Sequence, residues 1–321
     1  MNAPAYVLAA RSGLLKQRLE RAREMLVACR LCPRHCGVDR TAGELGYCQA
    51  AGTAAVYSHT AHPGEEPPLS GTRGSGTIFF GHCTLSCIYC QNHRFSQEGG
   101  GRDTTADELA GMMVALAGSG CHNINLVSPT HYTAAILEAL ELAVGRGVNI
   151  PLVWNTSSYE SAEVLALLDG MVDIYLADIR YSDPEAALKY SDAPDYVEVS
   201  RAALKEMHRQ VGALELDSEG IAVRGLIVRH LVMPNDISGT GEALRFIAHE
   251  LGADTHVSLM AQYYPAYRAG DCIPLSRRIT ASEWARALQS HDEAGLTNGW
   301  IQDHFEEVPP IAGSKLRPDG S

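Results

Sequence analysis

The feature that most limits the fold is a regular alternation of short apolar segments with helical segments from residue 77 onward. Six apolar segments have the length and composition of buried strands. They are residues 77–80, 123–127, 150–154, 172–179, 225–232 and 256–260. Two of the predicted helices between or after them begin with a capping box, at Thr105 and at Thr280. Because strands that alternate with helices form parallel sheets, we predict an α/β fold with a partial (β/α)6-type barrel.

Cysteine usage points to metal chemistry. The 321-residue chain contains nine cysteines, and most of them lie in two groups within residues 29–90. Cysteines that only fill a core are scattered, whereas short spacings are typical of metal or cluster ligands. The first group is Cys29, Cys32, Cys36 and Cys48, and the second is Cys83, Cys87 and Cys90.

The second group has the spacing C-x3-C-x2-C and follows the first predicted strand directly. Three thiolates can hold three irons of a [4Fe–4S] cluster, which leaves the fourth iron without a protein thiolate. An open metal position is what catalysis requires, as in catalytic zinc sites. The alternative is a zinc knuckle, for which His82 or His93 would supply the fourth ligand.

The run Cys83-Thr-Leu-Ser-Cys87-Ile-Tyr-Cys90 resembles the signature of the radical S-adenosylmethionine (SAM) superfamily. The resemblance implies a partial (β/α) barrel and a cluster whose open iron binds the amino and carboxylate groups of SAM. It also implies that Tyr89 packs near the adenine and that Asn92 belongs to the cofactor site. The ending Cys90-Gln-Asn92, with runs 75–83, 123–131, 153–156, 173–178 and 228–232, is similar to one subgroup, the pyruvate formate-lyase activating enzyme-like (glycyl-radical-enzyme activase-like) proteins.

The same resemblance implies cofactor contacts at the ends of the second and third predicted strands. The superfamily places a Gly-Gly-Glu stretch after the second strand, where it contacts the SAM amino group. Here residues 127–131 offer Ser128 and Thr130 but no carboxylate. His131 is either a substrate-side residue or a cap of the following helix. Asn155 and Thr156 end the third strand as cofactor contacts, with turn chemistry as the alternative.

Charged residues follow the same pattern on two later strands. Asp178 ends an apolar strand, and Arg180 lies two residues on, on the same face. In the activases an acid and a base at this place contact SAM or substrate, and a buried structural ion pair is the alternative. Arg229 and His230 lie within an apolar strand, where an unpaired charge is costly. The resemblance assigns Arg229 to the SAM carboxylate, and we predict Asp178, Arg229 and His230 as catalytic residues.

The first cysteine group offers four thiolates within twenty residues, Cys29, Cys32, Cys36 and Cys48. Four soft ligands can close a tetrahedral zinc site or hold a second [4Fe–4S] cluster. A zinc ribbon prefers two C-x2-C pairs, and the middle spacing here is irregular, so both metals remain open. Four unligated cysteines are the least expected alternative, because this loop has no other means of holding its shape.

Charge and hydropathy exclude several classes of protein. The formal net charge is −12 with no basic run, so we expect no nucleic-acid partner. No apolar run approaches the ~20 residues that cross a bilayer, and the amino terminus lacks a secretory signal, so we expect a cytoplasmic protein with no membrane contact. We divide the chain into a helix and Cys-rich extension (1–62), the barrel (63–303) and a tail (304–321) that we expect to be disordered.

The resemblance implies a radical SAM enzyme that cleaves SAM reductively to a 5′-deoxyadenosyl radical, which abstracts hydrogen from a substrate. The expected substrate is a glycine of a partner glycyl-radical enzyme, and a small molecule or peptide is the alternative. An electron donor such as flavodoxin or ferredoxin is the expected partner. The non-enzyme alternative is an iron–sulfur electron-transfer or zinc-binding protein, which would have four protein ligands at its metal and no affinity for SAM.

Overall fold

The fold is built on one ten-stranded sheet in residues 3–302, the part of the chain that the computed structural model describes. The strands lie in the order β10-β9-β8-β6-β5-β4-β2-β1-β3, and β7 pairs with β8 beside this path. They are β1 (Ala54–His62), β2 (Ser75–Phe80), β3 (Arg102–Thr104), β4 (Ile124–Val127), β5 (Leu152–Thr156), β6 (Ile174–Asp178), β7 (Glu215–Leu216), β8 (Ala222–Leu231), β9 (His256–Met260) and β10 (Asn298–Ile301).

The parallel part of the sheet runs from β2 through β4, β5, β6, β8 and β9 to β10. This arrangement confirms the α/β partial barrel, and each of the six predicted segments overlaps a strand. The parallel strand β10 was not predicted. It is only four residues long and alternates between partly buried and exposed residues, so it has no apolar run.

An antiparallel edge, formed by β1 and β3, was also not predicted. The sequence of β1 is Ala-rich and polar, and only its first residues are buried. Its pairing with β2 runs from Val56 opposite Phe80 to His62 opposite Ser75. Thus the end of the predicted extension, residues 1–62, shares a sheet with the barrel. The predicted tail, 304–321, lies outside the described residues.

Eleven α-helices are described within residues 3–302, and most of the longer ones pack against the outer face of the sheet. They are α1 (Ala5–Ser12), α2 (Leu14–Val27), α3 (Pro67–Ser70), α4 (His93–Ser96), α5 (Ala106–Gly118), α6 (Thr133–Gly145), α7 (Ala162–Leu168), α8 (Pro184–Ser191), α9 (Tyr196–Val211), α10 (Thr240–Phe246) and α11 (Ala281–Ala294). Both predicted capping boxes are present, at Thr105 and at Thr280. Within residues 3–302, no helix is long and apolar enough to cross a membrane.

Side-chain alternation along the strands divides the core into two parts. One face packs against the helices and includes Trp154 and Tyr175, both fully buried. The other face points into the barrel, where Val153 and Ile174 pack against Leu69 of α3. Burying such side chains contributes about 1.5–3 kcal/mol each. These apolar side chains fill part of the barrel interior, whereas the polar residues Asn155 and Asp178 end their strands at the carboxyl edge.

Candidate active site

Three thiols of the second cysteine group lie in the loop that follows β2, at the carboxyl edge of the parallel strands. The loop is fixed to the chain near α8, because the Ile88 backbone N–H donates to the Tyr190 carbonyl at 3.0 Å. Burial raises the pKa of Cys83 to about 12, and the nearby charges of Cys87 and Cys90 add to this shift. The loop is tightly turned, since the Cys90 N–H donates to the Cys87 carbonyl at 3.2 Å, and a bound cation would have to stabilise these thiols as thiolates.

Each of these sulfurs has a hydrogen-bonding neighbour. The Leu85 N–H donates to Cys83 Sγ at 3.4 Å, and the Ser191 hydroxyl donates to Cys87 Sγ at 3.0 Å. Cys90 Sγ lies 3.1 Å from the Ser96 hydroxyl. Hydrogen bonds to sulfur are one means by which proteins adjust the reduction potential of iron–sulfur clusters.

The predicted zinc alternative would need His82 or His93 as a fourth ligand beside the three thiols. Instead, the His93 ring stacks on Tyr267 and its Nδ1 lies 3.2 Å from the Cys90 carbonyl. Three converging thiols without a fourth ligand match a [4Fe–4S] cluster with one open iron.

An ion network lies beside this loop, centred on Asp178. Arg229 Nε donates to Asp178 Oδ1 at 2.8 Å, and Arg180 Nη2 donates to Asp178 Oδ2 at 2.7 Å. Arg229 Nη2 also donates to Asn155 Oδ1 at 2.7 Å. The sheet register produces this contact, because Asp178 of β6 lies directly opposite Arg229 of β8. The arrangement brings together three residues that the sequence placed at the ends of, or within, separate strands.

Electrostatics keep Asp178 ionised. Burial raises the pKa of Asp178, but Arg229 and Arg180 outweigh burial and hold that pKa below its ordinary value. Arg180 also extends to the cysteine loop, where its Nη1 donates to Cys87 Sγ at 3.4 Å. The network therefore places a cation against one of the thiols and joins the charged residues to the cysteine loop.

Glu65 is a member of this network that sequence reasoning missed. Its Oε2 lies 3.6 Å from Arg229 Nη1, and its side chain is only 9% exposed. Burial is the main cause that raises the pKa of Glu65 to about 7, and Glu66 and Asp178 also raise this pKa, whereas Arg229 lowers it. Glu65 lies between β1 and β2, in a stretch rich in Pro and Gly. The sequence of that stretch does not indicate that the Glu65 side chain enters the barrel.

Compared with the wild type, the Glu65→Gln variant is expected to gain folding stability as pH rises from 4.5 to about 7. Unfolded Glu65 ionises near its ordinary pKa of 4.5 and the folded residue near about 7, so the folded state holds the extra proton between these values. Wild-type stability therefore falls across this window, and Glu65→Gln removes that loss. Denaturant unfolding across this pH range, at equal cluster content, measures the difference.

A matched control is Glu24→Gln, since the Glu24 side chain is 63% exposed. Its stability curve should run parallel to that of the wild type over the same pH range. Parallel curves for Glu65→Gln and the wild type would show that Glu65 is not buried with a raised pKa.

The network and the cysteine loop line a cavity of about 190 Å³. Predicted site residues on its wall are Tyr89, Cys90, Asn92, Asp178 and Arg229, and Arg180, Leu231, Met233, Met260 and Gln262 complete most of the lining. A larger cavity of about 390 Å³ lies nearer α10 and α11 but contains no thiol. We assign the site to the smaller cavity because Cys90 of the cysteine loop and the charged network meet there.

Two predicted cofactor contacts face away from this cavity. The hydroxyls of Thr130 and Thr156 donate to Glu160 Oε1 at 2.7 Å and 2.6 Å. Glu160 is buried and also accepts from Trp154, which packs on the helix side of the sheet. Thr156 follows Asn155 in β5, so the two side chains point to opposite faces. Ser128 lies at the end of β4, where its N–H donates to the Asn155 carbonyl at 2.9 Å.

His230 also lies outside the cavity, which corrects its assignment beside Arg229. Its Nδ1 is 2.8 Å from the Ile179 carbonyl and its Nε2 is 3.0 Å from the Thr240 hydroxyl. It is fully buried, and burial lowers its pKa to about 4. Successive residues of a strand point to opposite faces, so His230 faces the helices. His131 is likewise buried, with its Nε2 3.0 Å from the Gly81 carbonyl, so it supports the cysteine loop.

The first cysteine group lies in the loop between α2 and β1. The loop turns back on itself, because the Cys29 N–H donates to the Val38 carbonyl at 2.9 Å and the Gly37 N–H donates to the Cys29 carbonyl at 3.0 Å. All four of its cysteines are free thiols. This group therefore remains available for a metal.

Comparisons with known proteins show what this chain is similar to. A sequence model described as the radical SAM superfamily matches residues 77–213. The chain is similar to the uncharacterized protein MJ0674 of Methanocaldococcus jannaschii, with 31% identity over 88% of this chain and 80% of the relative. It is also similar to the uncharacterized protein MJ0808 of that organism, with 26% identity over 82% of this chain and 77% of the relative. The crystal structure of methylornithine synthase covers 76% of this chain and 77% of its own, with a TM-score of 0.45 and 13% identity.

Proposed function

This chain belongs to the radical SAM superfamily, and we propose that Cys83, Cys87 and Cys90 hold its [4Fe–4S] cluster beside the cavity lined by Asp178 and Arg229. When bound, the cluster supplies the electron that cleaves SAM into methionine and a 5′-deoxyadenosyl radical. The observation that carries this proposal is the meeting of three thiols and a charged network at one edge of the sheet. Membership in a superfamily of enzymes removes the non-enzyme alternative.

We propose that Arg229 binds the SAM carboxylate. A guanidinium binds a carboxylate through two parallel N–H donors. Among the polar contacts of the Arg229 guanidinium, the one from Nη1 to Glu65 is the longest, at 3.6 Å. A carboxylate that approaches this side replaces Glu65 as the partner. Asp178 and Asn155 then hold the guanidinium in place from its other side.

The SAM ammonium group needs an anionic partner, and residues 127–131 do not supply a carboxylate. Asp178 is the ionised carboxylate on the cavity wall, so we propose that it serves this purpose. Tyr89 lines the same cavity and packs against Tyr181 and Tyr263, with ring centroids at 6.4 Å and 6.1 Å. An aromatic wall of this kind suits an adenine and keeps water away from the reacting atoms.

For the substrate, we propose a glycine of a partner protein. The cavity is lined by Cys90, Gln91 and Asn92, the run that resembles the ending of the activase signature. A glycine has no side chain, so its Cα can approach a reactive group closely as part of an extended strand or loop. A small molecule or a free peptide is the alternative substrate.

The test is a glycyl radical on the partner. The reduced enzyme, SAM and the product of a neighbouring glycyl-radical-enzyme gene are mixed anaerobically, and electron paramagnetic resonance records the radical. We expect a radical doublet whose splitting disappears when the partner carries deuterated glycine. The Cys83→Ala, Cys87→Ala, Cys90→Ala triple variant is the control and should give no signal. SAM turnover without a partner radical would instead favour a small molecule or peptide.

A further inference from the structure

Four thiols converge in the loop between α2 and β1, apart from the active site. Backbone hydrogen bonds bring their segments together, since the Gly37 N–H, next to Cys36, donates to the Cys29 carbonyl at 3.0 Å and the His35 N–H donates to the Cys32 carbonyl at 3.1 Å. Cys36 Sγ accepts a hydrogen bond from the Tyr47 N–H at 3.2 Å. Gly46 preserves space beside this sulfur, since a Cβ at residue 46 would lie 2.9 Å from Cys36 Sγ. Cys29 and Cys48 lie at the border of the main apolar core, and free thiols with a backbone donor and reserved space on one side suit a ligand set.

Arg40, a buried cation in the same loop, is a second and independent reason to expect negative charge at this cysteine group. It is 3% exposed, and its guanidinium donates only to carbonyls, those of Ala50 at 3.1 Å, His131 at 2.6 Å and Ala51 at 2.6 Å. No ion pair with a carboxylate is present for it within residues 3–302. A buried cation without an anionic partner is costly. Arg40 lies between Cys36 and Cys48 in the chain, and its contact with the Ala50 carbonyl is two residues from Cys48, so thiolates at this group would supply the missing negative charge.

The loop also touches the catalytic cysteine loop. The Tyr47 hydroxyl lies 2.9 Å from the Ser86 hydroxyl, and Arg34 Nε donates to the Thr84 carbonyl at 3.1 Å. The Arg34 guanidinium lies 3.8 Å above the Tyr47 ring. Thus Tyr47 contacts a thiol of the first group through its backbone and the catalytic loop through its side chain. Tyr47 therefore connects the two loops that carry the cysteine groups.

We propose that Cys29, Cys32, Cys36 and Cys48 hold a second [4Fe–4S] cluster, which passes single electrons to the cluster at Cys83, Cys87 and Cys90. A zinc ribbon prefers two C-x2-C pairs, whereas three residues separate Cys32 from Cys36. The first group also lies on a loop that touches the catalytic loop, where a redox centre can exchange electrons with the catalytic cluster. With four thiolates the second cluster has no open iron, so electron transfer is the chemistry that remains to it. The electron comes from a low-potential one-electron donor protein, and the relay role rests on the proposed function.

The metal assignment is tested in the Cys83→Ala, Cys87→Ala, Cys90→Ala triple variant. The full chain is reconstituted anaerobically with iron, sulfide and zinc all supplied. We expect about four irons and about four sulfides per chain, and a paramagnetic signal after dithionite reduction. Retention of zinc, or of no metal, would overturn the proposal. The variant with Ser at all four positions of the first group is the counterpart, and it should lose these irons but keep those of the catalytic loop.

The relay is tested in the same four-Ser variant by comparing two reductants. Dithionite is small and reaches the catalytic cluster directly, so SAM cleavage driven by dithionite should persist, whereas cleavage driven by reduced flavodoxin should be lost. Equal loss with both reductants, or unchanged cleavage with flavodoxin, would overturn the relay. A wild-type protein that cleaves no SAM with either reductant would refute the proposed function. The iron count of the triple variant would still decide whether the second cluster exists.

Discussion

Replacing Cys83, Cys87 and Cys90 by Ala is expected to abolish SAM cleavage. Each substitution removes an iron ligand, and a cluster held by three thiolates does not survive the loss of all three. The loop should keep its course, because Ile88 is tied to Tyr190 through the backbone. The measurement is 5′-deoxyadenosine formed by dithionite-reduced protein under anaerobic conditions.

A matched control is Cys121→Ala. Cys121 is 2% exposed and precedes β4 at the amino edge of the sheet, away from the cysteine loop. Its removal should cost some stability but leave SAM cleavage and iron content near wild-type levels. Turnover that survives in the triple variant would exclude these thiols as the ligands of the catalytic cluster.

Arg229→Ala is expected to weaken SAM binding by a factor of ten or more. Removing one partner of a buried charge pair costs about 2–5 kcal/mol, and each 1.4 kcal/mol is about one decade in affinity. The cluster should remain, because Arg229 touches no thiol. Asp178→Asn should also impair binding or cleavage, since Asp178 fixes both Arg229 and Arg180. Calorimetric titration of SAM into cluster-loaded protein measures the loss.

The control for Arg229 comes from the same strand. Arg224 lies toward the amino end of β8 and donates to the carbonyls of Val211 and Gln210, so Arg224→Ala should alter stability rather than SAM affinity. If Asp178 and Arg229 were only a structural ion pair, their variants would lose solubility or cluster content instead. A folded, cluster-loaded Arg229→Ala protein that binds SAM as tightly as the wild type would show that the carboxylate contact is elsewhere.

The barrel was predictable because its central strands are buried on both faces. Such strands appear as continuous apolar runs, and all six predicted segments overlap parallel strands. The edge strands lack this signal. In β1 most residues after Val56 are exposed or partly exposed, and β10 is too short for its alternation to stand out. Whether these segments form strands depends on the neighbouring strand with which they pair, and the local sequence pattern carries no information about that neighbour.

The part of the candidate site that could be predicted from the sequence lies at the carboxyl ends of the parallel strands, which meet at one edge of the sheet. Asp178 and Arg229 are brought together by register, as the sequence indicated. His230 was misplaced because a single-residue step along a strand reverses the face. Glu65 was missed because its contact with Arg229 joins residues far apart in the chain, through a connector with no periodic pattern.

The most direct test of the central claim is the product formed by the wild-type protein. The protein is reconstituted anaerobically with iron and sulfide, reduced with dithionite and incubated with SAM. The account predicts 5′-deoxyadenosine and methionine in equal amounts, formed only when the cluster at Cys83, Cys87 and Cys90 is loaded. A cluster-loaded, reduced protein that binds SAM yet leaves it intact would contradict the account.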